Sequence, residues 1–162
     1  LMTRPRFASY RSLVLVACCL IGAGCAHDSY QERANLIKNH ADAFYDSLKT
    51  NRVESAIRDN EQIEAMASQM GDTVRKRASQ QGTTSVEREF ALMNTANEAA
   101  ATNWLALGQY FTIKRQYLQA RTTYRRVIDT YTNPTDRPYR EQALRALKDL
   151  DMLNPPTTTT NP

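Results

Sequence analysis

A short apolar run, Leu13–Cys25, separates the first residues of the sequence from the part that can fold as a domain. Three arginines precede the run, and no acidic residue occurs before it. A basic start, about a dozen apolar residues and small residues at the end are typical of an export signal, and the run is too short to span a bilayer. We therefore expect residues 1–24 to be removed, so that residues 25–162 must fold by themselves.

The end of this run, Ile21-Gly22-Ala23-Gly24-Cys25, resembles the lipobox of bacterial lipoproteins. In that family the cysteine sulfur receives a diacylglyceryl group, the chain is cleaved before the cysteine, and the new amino terminus is acylated. The resemblance implies that Cys25 is the lipid attachment site, and Ala26 after it implies sorting to the outer membrane, facing the periplasm. The lipobox usually has leucine three residues before the cysteine, where this motif has Gly22. Leu15-Val16-Ala17-Cys18 has that leucine, but it leaves only a stub of apolar residues before it. Cleavage at Cys18 stays an alternative.

Removal of residues 1–24 changes the composition of what remains. The remaining 138 residues (162 − 24) suffice for one domain with a modest core. The leader arginines leave as well, so a net charge of +4 becomes +1, from 18 basic and 17 acidic side chains. Such a balance lacks the dense basic footprint of a nucleic-acid-binding protein. One cysteine remains and is assigned to lipid, so helix packing and not disulfides must stabilise the fold.

Apolar side chains recur every three or four residues through most of the remaining sequence, which predicts helices and no strands. Gly71-Asp72 is a candidate bend or break, Gln81-Gly82 a candidate stop, and Asn51 with Glu54 a candidate capping box. The polar, proline-rich residues 154–162 are expected to be disordered. The predicted helices are Tyr30–Leu48, Val53–Ala78, one that starts at Thr84 and ends in a turn near Lys114–Gln116, Tyr117–Thr130 and Pro138–Leu153.

The second half of the chain carries a repeat-like spacing of large and small residues. The residues are Trp104, Leu107, Gly108 and Phe111, then Tyr117, Ala120, Tyr124, Val127 and Ile128. Their spacing resembles the tetratricopeptide repeat (TPR), a helix–turn–helix unit of about 34 residues. Gly108 and Ala120 are small where the two helices of such a unit cross, and Arg115 stands where its turn usually has glycine. The resemblance covers 101–153, as one repeat plus a final helix.

The TPR resemblance implies a short all-α solenoid of antiparallel helical hairpins, in which 25–100 form degenerate repeats or a cap. First helices of such stacks line a concave groove that binds peptides or helices. The groove positions carried over from the family are Thr102, Leu105, Gln109, Thr112 and Ile113. This mixture suits a partly apolar protein segment.

A basic patch follows the first helix of the repeat. Lys114, Arg115, Arg121, Arg125 and Arg126 occur with no acidic residue between them. Arg121 and Arg125 are four residues apart and so share a helical face. Two interpretations stay open: contact with an acidic partner or lipid headgroups, or a solvated face balanced by acids elsewhere.

No pattern in the sequence indicates an enzyme. The zinc-protease, serine-hydrolase and phosphate-loop motifs are absent, and His27 and His40 lie too far apart for a local metal motif. Carboxylates along one predicted helix, among them Glu61 and Glu64, are interpreted as a solvated face. We therefore expect no catalytic residue, no metal, no cofactor, no small-molecule substrate and no nucleic-acid partner.

These observations lead to one main hypothesis and three alternatives. The main one is a non-enzymatic, lipid-anchored adaptor that docks a protein of an envelope assembly, secretion or pilus machine. The alternatives are a pilotin-like chaperone for one outer-membrane client, an accessory subunit of an envelope enzyme, and a structural spacer. A single dominant partner would favour the first two of these four.

Overall fold

The protein consists of helices joined by short turns in the residues that the computed structural model describes, 25–78 and 83–155. Within those residues there is no β-strand, so the predicted all-α fold class is confirmed. The first helix contains a boundary between two units of the chain, which falls between residues 36 and 37; the second unit begins at Ile37. The helices are α1 (Cys25–Lys49), α2 (Val53–Ala78), α3 (Thr83–Ile113), α4 (Tyr117–Thr130) and α5 (Arg137–Leu153), with a short 3-10 helix (Pro134–Asp136) before α5.

Helix boundaries follow the sequence prediction closely in the second half of the chain. Helix α4 begins and ends at the predicted residues, and α5 begins one residue earlier than predicted. Helix α2 passes through Gly71 without a break, and α3 continues through the expected domain boundary between residues 100 and 101. The leader, the expected Gln81-Gly82 stop, the side chain of the Thr84 cap and the tail from residue 156 lie outside the described residues.

Helices α2 and α3 form a long antiparallel hairpin held by apolar and polar contacts. A fully buried pair of amides crosses it: Asn60 donates to the backbone oxygen of Ala100 over 3.1 Å and accepts from Asn103 over 2.9 Å. Buried amides are costly unless each finds its partner, so this pair selects one register of the two helices. The apolar side chains buried along the two helices include Ile63, Ala67, Met70, Leu92, Ala96, Ala100 and Leu107.

Gly71 explains why the predicted break in α2 does not occur. A methyl group at this position would lie 3.4 Å from the sulfur of Met93 on α3, so the glycine lies where the two helices approach each other. The residue is itself buried. Packing against α3 therefore holds the helix through a residue that is unfavourable in an isolated helix by up to about 1 kcal/mol relative to alanine.

The α3–α4 pair crosses closely at a single glycine. A β-carbon on Gly108 would lie 2.5 Å from Cε1 of Tyr124, so no other residue fits without a shift. Ala120 is fully buried in the same pair, and Tyr124 is nearly so. The small positions thus let the helices approach, and the aromatic ring fills the space that they leave.

Two turns of the same kind join α1 to α2 and α3 to α4. Asn51 and Arg115 adopt φ angles of 61° and 58°, the left-handed conformation. At Arg115 the next amide bonds back to Phe111 over 2.8 Å, which is the pattern of a Schellman C-cap. The residue that stands in place of the usual TPR glycine therefore adopts a glycine-like conformation, at a cost of about 1 kcal/mol. Asn51 ends α1 in the same way, so its predicted role as the cap of α2 is wrong.

Helix α5 packs back on α4 after a tight connection. Pro134 begins the 3-10 helix, and the carboxylate of Asp136 accepts bonds from the backbone and side chain of Asn133 at 3.3 and 3.2 Å. At the other end of the pair, Arg121 of α4 forms an ion pair with Asp151 of α5. Helices α2 to α5 thus run alternately up and down, each beside its neighbour in the chain.

Candidate functional site

Three polar contacts from separate parts of the chain converge on the carboxylate of Glu64 in α2. Its Oε1 accepts a hydrogen bond from the indole of Trp104 over 2.7 Å and one from the phenol of Tyr131 over 2.8 Å. Its Oε2 accepts from the guanidinium of Arg126 over 2.7 Å. The four side chains, the Glu64 cluster below, join α2 to α3, to α4 and to the residue that follows α4.

Arg126 makes two further contacts in this cluster. Its guanidinium lies 3.9 Å from the centre of the Trp104 ring, a cation–π distance, and 3.6 Å from Glu61. The Arg126 side chain is 39% exposed and that of Glu64 is 21% exposed, so solvent screens the charges only in part. Stacking on a nearly buried ring fixes the guanidinium plane where the Glu64 carboxylate can accept from it.

The phenol of Tyr131 is held in its protonated, donating form. Burial raises the pKa of Tyr131 well above its ordinary value, and the charge of Glu64 and the hydrogen bond to it raise it further. Arg126 acts in the opposite direction as a smaller cause. The phenol therefore keeps its proton at physiological pH and can donate it to the hydrogen bond with Glu64.

This arrangement holds three segments of the chain together through one carboxylate. Three donors occupy the Glu64 carboxylate and fix its orientation between α2, α3 and α4. Among the described residues, no group of three or more histidine, cysteine, aspartate or glutamate side chains could hold a metal ion. The cluster can orient helices, and nothing in its geometry prepares it to transfer a proton.

A cleft of about 440 Å³ opens beside the Glu64 cluster. It forms where α2 and the first half of α3 extend beyond the end of α4, because α3 has 31 residues and α4 has 14. Small residues of α2 form one wall, and the connection from α4 to α5 forms another. The lining residues are Glu64, Ala67, Ser68, Gly71, Arg75, Met93, Asn97, Thr130, Tyr131, Asn133 and Asp136.

The groove positions carried over from the TPR family differ in exposure. Thr102 and Gln109 are exposed, and Ile113 is 73% exposed at the end of α3. Leu105 is buried, and the hydroxyl of Thr112 donates to the backbone oxygen of Gly108 over 2.9 Å. A partner on this face would therefore meet Thr102, Gln109 and Ile113 first.

The basic patch read from the sequence is divided by the structure. Arg121 pairs with Asp151, and Arg126 pairs with Glu64 and Glu61, so these two cations bind carboxylates of the same chain. Lys114, Arg115 and Arg125 are exposed, and Lys114 lies 5.5 Å from the centre of the Tyr110 ring. The exposed cations are therefore Lys114 and Arg115 in the α3–α4 turn and Arg125 on α4.

Cys25 and His40 both belong to α1. Cys25 is the first residue of α1, and its side chain lies outside the described part. His40 is half-buried and lies 3.0 Å from the carboxylate of Asp59, so it joins α1 to α2. Within the described ranges, no helix combines the length and hydropathy needed to cross a bilayer.

The chain matches no known protein family, no curated protein and no solved structure. Sequence reasoning missed Glu64, which it placed on a solvated face. One signal was available: Glu64 stands four residues after Asn60 and three before Ala67, both buried, so it lies at the edge of the buried face of α2 and not opposite it.

Proposed function

We propose that this protein is a lipid-anchored, non-enzymatic adaptor of the bacterial outer membrane. A TPR-like helical domain would dock a protein of an envelope assembly, secretion or pilus machine, and Cys25 would hold that domain at the periplasmic leaflet. The close crossing of α3 and α4 at Gly108 and Tyr124 is the observation that carries the proposal. A small residue against an aromatic ring at a helix crossing, with exposed positions nearby on α3, supports a TPR-like pair.

The lipid has a defined physical role in this proposal. Acyl chains contribute about 0.8 kcal/mol per buried CH₂ group, so several chains on one cysteine give a nearly permanent tether. A tether raises the local concentration of the domain around its partner, so weak individual groove contacts suffice. Fractionation tests this step: Cys25→Ser should move a folded protein from the membrane to the soluble fraction, while Cys18→Ser should not.

Site-specific photo-cross-linking tests the docking step. The photo-reactive residue belongs at Gln109, which is exposed, and not at Leu105, which is buried. Gln69 on α2 is an exposed glutamine away from the groove and serves as the matched control. One dominant envelope protein captured from Gln109 and not from Gln69 supports the adaptor.

The same experiment can contradict the adaptor. Equal, diffuse products from both positions would leave no specific docking face and would favour the structural spacer. A single outer-membrane client that is mislocalised when the gene is deleted would instead favour the pilotin-like chaperone.

A further inference from the structure

One end of the second unit gathers three chain connections. The hydroxyl of Tyr110, near the end of α3, donates to Asn51 in the α1–α2 turn. Arg121, in the second turn of α4, bonds to Asp151 and to the backbone oxygen of Asn154 at the end of α5. The two helix turns and the end of α5 therefore lie together. We call this end the tip and define it as residues 46–54, 110–121 and 151–154.

The tip carries the most exposed large apolar side chains of the described residues. Ile113 is 73% exposed, Leu118 76%, Met152 69% and Leu153 67%. The next large apolar residue, Leu144, is 51% exposed and lies on α5 outside the tip. Single exposed apolar residues are ordinary, but the four most exposed ones at the same end of the second unit are typical of an interaction surface.

The tip is also basic. It contains Lys49, Arg52, Lys114, Arg115 and Arg121 against Asp46, Glu54 and Asp151, which leaves a net charge of +2 (5 − 3). Two of the acids are neutralised within the tip, since Asp46 pairs with Lys49 and Asp151 with Arg121. Lys114 and Arg115 stand between Ile113 and Leu118 in the chain. Neither takes part in an ion pair found among the described residues.

We propose that the tip inserts into the surface of a membrane that contains anionic lipids. Protruding aliphatic side chains with basic neighbours match the boundary between acyl chains and anionic headgroups. The four apolar residues are highly exposed and do not line the cleft beside the Glu64 cluster, so they suit a deformable surface better than a rigid protein ligand. This contact is separate from the proposed lipid on Cys25 and does not depend on a protein partner.

Tryptophan quenching in the full chain tests the proposal. Leu118→Trp places a reporter on the tip. Phe90→Trp places one at a 47% exposed position of α3, about 35 Å along that helix from Ile113. Both variants keep the leader and the nearly buried Trp104, so these contribute equally. With vesicles of phosphatidylcholine and brominated phosphatidylglycerol, we expect the quenching of the Leu118→Trp protein to exceed that of the Phe90→Trp protein several-fold.

The charge requirement is tested in the same Leu118→Trp background. Lys114→Gln with Arg115→Gln should weaken tip insertion about 30-fold, from about fivefold for each cation at an anionic surface. Raised salt and vesicles of phosphatidylcholine alone should act in the same direction. Equal quenching at positions 118 and 90 would overturn the proposal. So would a spectral shift at position 118 that needs no lipid and grows with protein concentration, because that shift would indicate a protein contact.

Discussion

The carboxylate of Glu64 connects more of this protein than any other side chain whose contacts are described. It accepts from Trp104, Arg126 and Tyr131, which belong to three different stretches of chain. A hydrogen bond to a charged group contributes about 1.5–3 kcal/mol, and an abandoned buried donor costs a similar amount. The stability of the helix arrangement therefore depends on this residue.

Glu64→Ala should lower the free energy of unfolding by about 2–3 kcal/mol, because it leaves the indole and the phenol without an acceptor. Glu61→Ala is the matched control. Glu61 lies one turn earlier on the same helix, is 47% exposed and contacts Arg126 at 3.6 Å, so its loss should cost at most about 0.5 kcal/mol. Urea unfolding followed by circular dichroism measures both. Equal losses would contradict the central role of Glu64.

We expect Tyr131 to lower the stability of the folded protein as the pH becomes alkaline. Its pKa is raised in the folded protein, so above about pH 10 the unfolded chain loses the phenolic proton first while the folded chain keeps it. The folded state then binds more protons, and the stabilising contribution, present in full below about pH 10, is lost as the pH rises. Burial also raises the pKa of Tyr45, Tyr124 and Tyr139, which adds to the slope.

Tyr131→Phe should therefore show a shallower loss of stability between pH 9 and pH 11 than the wild-type protein, in the range of ordinary tyrosine ionisation. At neutral pH it should cost about 1 kcal/mol for the lost hydrogen bond to Glu64. Thermal unfolding at a series of pH values measures both effects. An unchanged alkaline slope would mean that the remaining tyrosines account for all of it.

At the scale of helices, two glycines with the same sequence signal have different roles. Both occur inside long helices, where alanine would be favoured by up to about 1 kcal/mol. Around Gly71 the nearest atom to an added methyl group is the flexible sulfur of Met93 at 3.4 Å. Around Gly108 the aromatic ring of Tyr124 occupies that space. The distance between neighbouring helices, and not helix propensity, separates the two positions.

Gly108→Ala should destabilise the protein by about 1–3 kcal/mol, since the Tyr124 ring or the helix crossing must shift. Gly71→Ala should be neutral or stabilise by up to about 1 kcal/mol, because alanine favours the helix and meets only an ordinary contact. Chemical unfolding of the pair measures the difference. A stable Gly108→Ala protein would show that the close crossing of α3 and α4 is not required.

At the scale of the whole molecule, Trp104 joins the core to the Glu64 cluster. Its ring is nearly buried, its indole donates to Glu64, and its face supports Arg126. Each helix of the second unit packs mainly on its neighbour in the chain, so a residue that touches α2, α3 and α4 couples contacts that would otherwise be independent.

Trp104→Ala should lower the free energy of unfolding by about 3–5 kcal/mol, the cost of truncating a buried aromatic residue. Trp104→Phe keeps much of the packing and loses the indole donor, so we expect a loss of about 1–2 kcal/mol. Calorimetry of both variants, with the tyrosine fluorescence as a second probe, measures the change. A Trp104→Ala protein with wild-type stability would refute the packing of the α3–α4 pair around this residue.

Local signals in the sequence determined the helices of this protein. The bounds of α4, the turn at Arg115 and the start of α5 near Pro138 were predictable because periodicity and proline chemistry act over a few residues. The export signal and the lipobox resemblance are likewise local patterns, and the lipid anchor on Cys25 stays a prediction that rests on them. Asn51 shows the limit of such signals, because a helix end and a helix start use the same residue types.

Only the tertiary structure decided which of the polar residues form contacts between helices. Arg126 and Tyr131 stand 62 and 67 residues after Glu64 in the chain, and no local pattern connects either of them to it. The same holds for the tip, where residues from three connections meet because antiparallel helices return to one end. Packing between distant segments sets these contacts, and it depends on side-chain shape and distance that a single sequence does not display.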